Sequence, residues 1–215
     1  MPRPLWERFA PVAGLAFGVL FVASIVMAKI PGGGDSTQDV ADWLNDSQGH
    51  RVLESVSVYL ALSAGLCFIW FLAALTNRLR RAEGEPPGLS RAASLAGAVF
   101  VSLLFLYASS IAVLAFSRSI GEDKAISVET AHFGMIGGVA FLISGMFAAA
   151  GVMVSSGIAA MSTRVFPVWF GWLSLAGAVI VLFGIIFFPA VAFPIWVLVA
   201  SFLLWQQSEG IPVRA

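Results

Sequence analysis

Charged residues are scarce in this sequence. Asp, Glu, Lys and Arg make up 11% of the 215 residues, whereas a soluble domain carries about a quarter. The formal net charge is zero, so the chain lacks the basic surface that nucleic-acid binding needs, and we expect no nucleic-acid partner. The single cysteine, Cys67, excludes an internal disulfide.

Familiar catalytic motifs are missing as well. The sequence contains no Gly-x-Ser-x-Gly, no phosphate-binding loop and no His-Glu-x-x-His. The run Gly32-Gly-Gly34 lacks the Lys and Ser or Thr that complete a phosphate loop, so we interpret it as a flexible turn. We therefore name no catalytic residue and expect no cofactor.

Long apolar runs dominate what is present. Hydrophobic residues make up 59% of the chain, and the mean hydropathy is +0.92. Runs of about 20 or more apolar residues match the length at which a helix crosses the hydrocarbon of a bilayer. The sequence therefore predicts an all-α, polytopic membrane helix bundle, one integral membrane domain over residues 1–215 with six transmembrane helices. The predicted spans are about 9–30, 51–76, 91–117, 130–160, 166–188 and 190–207.

A short internal repeat suggests how the spans are grouped. The hexapeptide Ser-Leu-Ala-Gly-Ala-Val begins at Ser94 and again at Ser174, and a weaker copy begins at Pro11. Three parallel two-helix repeats around an axis near the membrane normal are one interpretation. Chance similarity between two helices rich in Ala, Gly, Leu, Ser and Val is the other. The aligned glycines are Gly14, Gly97 and Gly177.

Small residues four apart predict where helices approach closely. Gly14 and Gly18 form one such pair, and Gly134 and Gly138 form another. Without side chains, two backbones can come together and pack in lipid, where no hydrophobic force drives helices together.

Basic residues predict the orientation. Eight of the twelve Lys and Arg residues fall on the side that holds both termini, which favours a bacterial plasma-membrane protein with cytoplasmic N- and C-termini. The densest group, at Arg78, Arg80, Arg81 and Arg91, is placed to contact anionic headgroups, so membrane lipids are the expected partners.

Ionisable residues avoid the middle of the spans. No Asp, Glu, Lys, Arg or His falls in the middle third of any predicted span. Such groups usually mark proton relays and ion pathways. Ion-coupled transport through the centre of the bundle is therefore disfavoured, although backbone carbonyls at a broken helix remain an alternative.

Two pairs of potential metal ligands lie at the predicted outer rim. His50 and Glu54 are four residues apart at the start of the second span, and Glu129 and His132 are three apart at the start of the fourth. Each pair would share one helix face and could offer an oxygen and an imidazole nitrogen to zinc or another divalent ion. The alternative is ordinary charge at helix starts, where acids complement the helix dipole.

The two tyrosines suggest a ligand site. Tyr59 and Tyr107 lie inside predicted spans and, with Glu54 and Ser57, could line a cavity open to the outside. Its aromatic and aliphatic walls would suit a small amphiphile or lipid headgroup. The alternative is that each tyrosine hydroxyl only bonds a neighbouring group.

Five segments at the span boundaries carry a family resemblance: Trp6-Glu-Arg-Phe-Ala-Pro11, His50-Arg-Val-Leu53, Phe71-Leu-Ala-Ala-Leu75, Arg78-Leu-Arg-Arg-Ala-Glu83 and Pro167-Val-Trp-Phe-Gly-Trp-Leu173. They resemble those of uncharacterised bacterial, largely actinobacterial, six-span integral membrane proteins of unknown function. That resemblance implies a six-helix bundle in the plasma membrane and implies no activity or site residues.

Three functions stay open on the sequence alone. The first is a non-enzymatic bundle that binds an apolar ligand or a membrane protein partner, alone or as a subunit of a larger membrane assembly. The second is a small-solute permease or channel with an outward-facing polar mouth near His50, Glu54 and His132. The third is a metal-dependent membrane enzyme that uses the same His and Glu rim.

Overall fold

A computed structural model describes residues 5–28, 48–117, 127–183 and 191–208. Every regular element in these ranges is an α-helix, which confirms the predicted all-α bundle. The helices are α1 (Leu5–Ala28), α2 (Gln48–Glu83), α3 (Leu89–Ser117), α4 (Val128–Thr163), α5 (Val168–Leu182) and α6 (Ala192–Ser208).

The first four helices are long and apolar enough to cross a membrane, which supports an integral membrane protein. Their apolar segments are Phe9–Ala28, Val52–Glu83, Leu89–Leu114 and Val128–Thr163. The last two helices are apolar but shorter, with 15 residues in α5 and 17 in α6. Passage of α5 and α6 through the membrane therefore stays a prediction, and the predicted end of the fifth span at residue 188 lies outside the described residues.

Helix α2 continues beyond the predicted span end at residue 76. Its last turns contain Arg, Leu, Ala and Glu, which are good helix formers, so polarity does not end the helix there. Gly84 follows with φ 75°, a left-handed conformation that glycine adopts without strain and that commonly ends helices.

The helices pack in sequence order around a ring. Each contacts the next along the chain, and α1 also packs against α6, which closes the ring. The contact between α5 and α6 is the slightest between consecutive helices.

The bundle has two ends, which are named after their residues. At the Glu54 end, α1 and α3 end while α2 and α4 begin. The arginine end contains the α2–α3 and α4–α5 turns.

Of the two predicted glycine pairs, Gly14 and Gly18 lie at a close helix contact, whereas Gly134 and Gly138 make only ordinary contacts. A Cβ on Gly14 would collide with Ser201 Oγ on α6, and one on Gly18 would lie 2.8 Å from Leu198 Cδ2. A Cβ on Gly138 would lie 3.4 Å from Ser110 Cβ on α3. Glycine therefore permits the α1–α6 approach that closes the ring, whereas a side chain at Gly138 would fit between α3 and α4.

The two turns at the arginine end share three features. Gly84 and Arg164 both have a positive φ, of 75° and 54°. Each backbone N–H donates to the carbonyl four residues earlier, at 3.2 and 3.0 Å. A proline follows three residues later in both turns, before the next helix begins. The spacing of these turns is the same as that of the repeated hexapeptides.

The aligned glycines also occupy comparable places in the ring. Gly97 packs against Leu72 of α2 and Gly177 against Met153 of α4, the helix that precedes each in the chain. Gly14 packs against Ser201 of α6, which precedes α1 around the closed ring. The shorter α5 departs from this pattern, so a repeat across all three hairpins stays a prediction.

Candidate functional site

Two polar side chains near the start of α2 point into the bundle. Glu54 is 3% exposed and Ser57 is 2% exposed, although both lie in a helix whose apolar segment begins at Val52. The Ser57 hydroxyl donates to the Glu54 backbone carbonyl at 2.8 Å, which satisfies it within its own helix. A buried carboxyl group is costly in an apolar bundle and is the most unusual feature at this end.

The register of the helices places His132 at about the same depth as Glu54. Gly65 packs against Phe105 and Gly97 against Leu72, so the start of α2 is level with the last turns of α3. Gly134 packs against Leu114 in those same turns of α3. Glu54 on α2 and His132 on α4 therefore flank the end of α3.

His132 is the polar group with unmet hydrogen-bonding capacity here. Its Nε2 atom is buried and has no hydrogen-bond partner in the structure. Ser127 caps the start of α4, where its Oγ accepts from the Thr130 backbone N–H at 3.3 Å. Glu129 is exposed, whereas His132 is half-buried, so the two ligands predicted as a pair differ in environment.

The two tyrosines lie in contrasting surroundings. Tyr107 is 7% exposed, and its ring packs against α4 beside Gly138. Tyr59 is 65% exposed, on a face of α2 different from the one that buries Glu54 and Ser57. Glu54, Ser57 and Tyr107 are therefore each buried, whereas Tyr59 lies on the surface. Ligand binding by any of them stays a prediction.

The structure describes only some of the side chains that are predicted to bind a metal. His50 lies in the first turn of α2, and its side chain is outside the described residues. Among the side chains that the structure describes, no three of His, Cys, Asp and Glu converge to hold a metal. The metal assignment to His50, Glu54, Glu129 and His132 stays a prediction.

Four phenylalanines fill the centre of the bundle. Phe17 of α1, Phe68 of α2, Phe100 of α3 and Phe193 of α6 are each fully buried. Every pair of these rings has centroids between 4.9 and 6.1 Å apart. Rings at these distances attract each other by about 0.5–1.5 kcal/mol per pair beyond the burial of their area. They form a solid aromatic plug between four helices.

No family model, curated protein or solved structure matches this chain. Its candidate sites are therefore those that its own geometry defines.

The aromatic plug was not predicted from the sequence, although a signal for it exists. Phe17 and Phe21 are four residues apart, and Phe68 and Phe71 are three apart, the spacings that place side chains on one helix face. The side chains of Phe17, Phe21, Phe68 and Phe71 are all fully buried. In a chain with 18 phenylalanines, such spacing alone does not separate core rings from lipid-facing ones, such as Phe133 at 79% exposure.

The arginine end carries a second polar arrangement. The Glu83 carboxylate at the end of α2 accepts from the backbone N–H groups of Gly88 and Ser90 at 3.1 and 2.9 Å, and from the Ser90 hydroxyl at 3.1 Å. It caps the start of α3 with a negative charge, which also complements the helix dipole. The carboxylate thus ties the two helices together at this turn.

Proposed function

We propose that this protein is a non-enzymatic membrane bundle whose Glu54 end binds the polar part of a small amphiphilic ligand. The observation that carries the proposal is the burial of Glu54, at 3% exposure. Ionisable side chains inside a membrane bundle are expensive and usually have a functional role. The buried, unpartnered Nε2 of His132 offers a second polar contact at the same depth.

The aromatic plug supports a binding role over a permease. A permease needs a route through the interior, and four fully buried phenylalanines in mutual contact fill the space between α1, α2, α3 and α6. The apolar interior around Tyr107, Ile111 and Leu104 suits the acyl or aromatic part of an amphiphile, while Glu54 and His132 suit its polar part. The same proposal includes six membrane crossings, cytoplasmic termini, a bacterial plasma membrane and membership of a larger assembly. It also includes the family resemblance.

Native mass spectrometry of the detergent-extracted protein tests this function. The wild-type protein should retain a co-purifying small molecule, and a Glu54→Gln variant should lose it because the buried carboxyl group is replaced by an amide with little change in shape. Tyr59→Phe is the matched control, since it removes a hydroxyl from the exposed face of α2 and should change nothing. A wild-type particle without bound species, or equal retention in Glu54→Gln, would overturn the proposal.

A further inference from the structure

The α2–α3 turn brings three arginines to one edge of the bundle. Arg80 and Arg81 lie in the last turn of α2, and Arg91 follows Ser90 in the first turn of α3. Because the Glu83 carboxylate binds Ser90 through both its N–H and its hydroxyl, the start of α3 is held to the end of α2. The arginines are therefore fixed on either side of one short connection.

Two of these arginines, Arg80 and Arg91, are open to an external anion. Arg80, Arg81 and Arg91 are all exposed. Within the ranges that the structure describes, Arg80 and Arg91 make neither an ion pair nor a side-chain hydrogen bond. The Glu83 oxygens are occupied by the helix cap, which leaves the exposed Glu85 as the other carboxylate of this turn.

Apolar side chains continue from the arginines along the outer surface. On α3, Leu95 is one turn beyond Arg91 and Val99 is two turns beyond it, and their exposures are 70% and 50%. On α2, Ile69 is 43% exposed and lies eleven residues before Arg80, three helical turns away, so the two share a helix face. Cationic groups above an apolar strip match a molecule with an anionic head and hydrocarbon chains.

Exposed tryptophans indicate that this end of the bundle lies at the membrane surface. Trp169 and Trp172 are 51% and 64% exposed at the start of α5, and Trp205 is 50% exposed near the end of α6. Tryptophan is enriched at the headgroup level, where its ring is apolar and its N–H is polar. The arginines on the same end are therefore placed among lipid headgroups.

We propose that the α2–α3 edge is a binding site for an anionic phospholipid, with its headgroup phosphate on Arg80 and Arg91 and its chains along Leu95 and Ile69. Arginine binds phosphate with two parallel N–H donors, which favours a held lipid over diffuse attraction. The proposal is independent of the Glu54 end, because the two sites lie at opposite ends of the bundle.

Lipid retention in nanodiscs tests the site. Wild-type protein in bilayers that mix phosphatidylglycerol and phosphatidylcholine should retain phosphatidylglycerol selectively after mild extraction, as measured by native mass spectrometry. The Arg80→Gln/Arg91→Gln double variant should lose about fivefold in affinity for each arginine removed. Glu83 is untouched in this variant, so its melting temperature in pure phosphatidylcholine should equal that of the wild type and show that it folds.

Arg164→Gln is the matched control, since Arg164 is an exposed arginine of the other turn at the same end. It should leave phosphatidylglycerol retention unchanged. An equal loss in Arg164→Gln would show diffuse attraction and overturn the site, as would equal retention of both lipids by the wild type. Soluble glycerol 3-phosphate should fail to displace the lipid. Displacement would show that the site recognises the phosphate alone. It would therefore overturn the role of the apolar strip.

Discussion

One arginine holds a backbone conformation that suits glycine. Arg164 has φ 54° at the end of α4, where the matching residue of the α2–α3 turn is Gly84 with φ 75°. A side chain in the left-handed region costs about 1–2 kcal/mol, and glycine avoids that cost. We expect Arg164→Gly to raise the free energy of unfolding by about 0.5–1 kcal/mol, because the added flexibility of the unfolded glycine offsets part of the gain. Thermal unfolding in detergent micelles measures it.

Gly84→Ala is the reciprocal change at the equivalent position. It should lower the free energy of unfolding by about 1 kcal/mol, because the new methyl group is strained in the left-handed region. Open space surrounds Gly84, so a collision cannot account for the loss. Stability that falls in Arg164→Gly, or does not change, would contradict the equivalence of the two turns.

At the scale of helices, one serine links α5 to α6 where their contact is slightest. The buried Ser174 Oγ accepts from the indole N–H of Trp196 at 2.8 Å and donates to the Phe170 carbonyl at 2.7 Å. Ser174→Ala removes the acceptor and leaves a buried indole N–H unsatisfied, which costs about 1–3 kcal/mol. We expect a lower melting temperature, measured by tryptophan fluorescence.

The repeated hexapeptide supplies the control for this change. Ser94 occupies the same place in the first copy as Ser174 does in the second, but it is half-buried and lies on α3. Ser94→Ala should change the free energy of unfolding by no more than about 0.5 kcal/mol, as surface substitutions generally do. Equal losses at both positions would show that removing a serine hydroxyl from a helix accounts for the loss, and would contradict a role for the link between α5 and α6.

The helices could be predicted from sequence because long apolar runs have few alternatives in a membrane. It was harder to predict which face of each helix is buried and which helix it packs against. Tyr59 follows Ser57 by two residues, about 200° around a helix with 3.6 residues per turn, so its exposure could have been anticipated from the burial of Ser57. The close contact of Gly14 with Ser201 depends on how the chain's ends meet, which local spacing does not specify. The Glu83 cap could not be predicted for a related reason, because the predicted second span ends at residue 76 and the helix continues to Glu83.

At the scale of the whole molecule, the α1–α6 contact closes the ring, and Gly14 permits it. A Cβ there would collide with Ser201 Oγ and would lie 2.7 Å from Phe71 Cδ2. We expect Gly14→Ala to destabilise the protein by about 1–3 kcal/mol through overpacking, seen as a lower melting temperature. Gly137→Ala is the control, since open space surrounds Gly137 on α4. That variant should gain about 0.5–1 kcal/mol, because alanine favours the helix. Equal effects at both glycines would contradict ring closure at Gly14.

The aromatic plug determines what the bundle can conduct. Phe17, Phe68, Phe100 and Phe193 are each fully buried and come from four different helices, so a solute on the axis would have to displace several packed rings at once. Interiors packed in this way do not open without losing many contacts. Proteoliposomes loaded with potassium ions or glycerol should therefore leak no faster than protein-free vesicles of the same lipids. A pore-forming peptide added at the end of each trace verifies that the vesicles are sealed. Solute flux that increases with the amount of protein would contradict a closed centre and restore the permease as the better function.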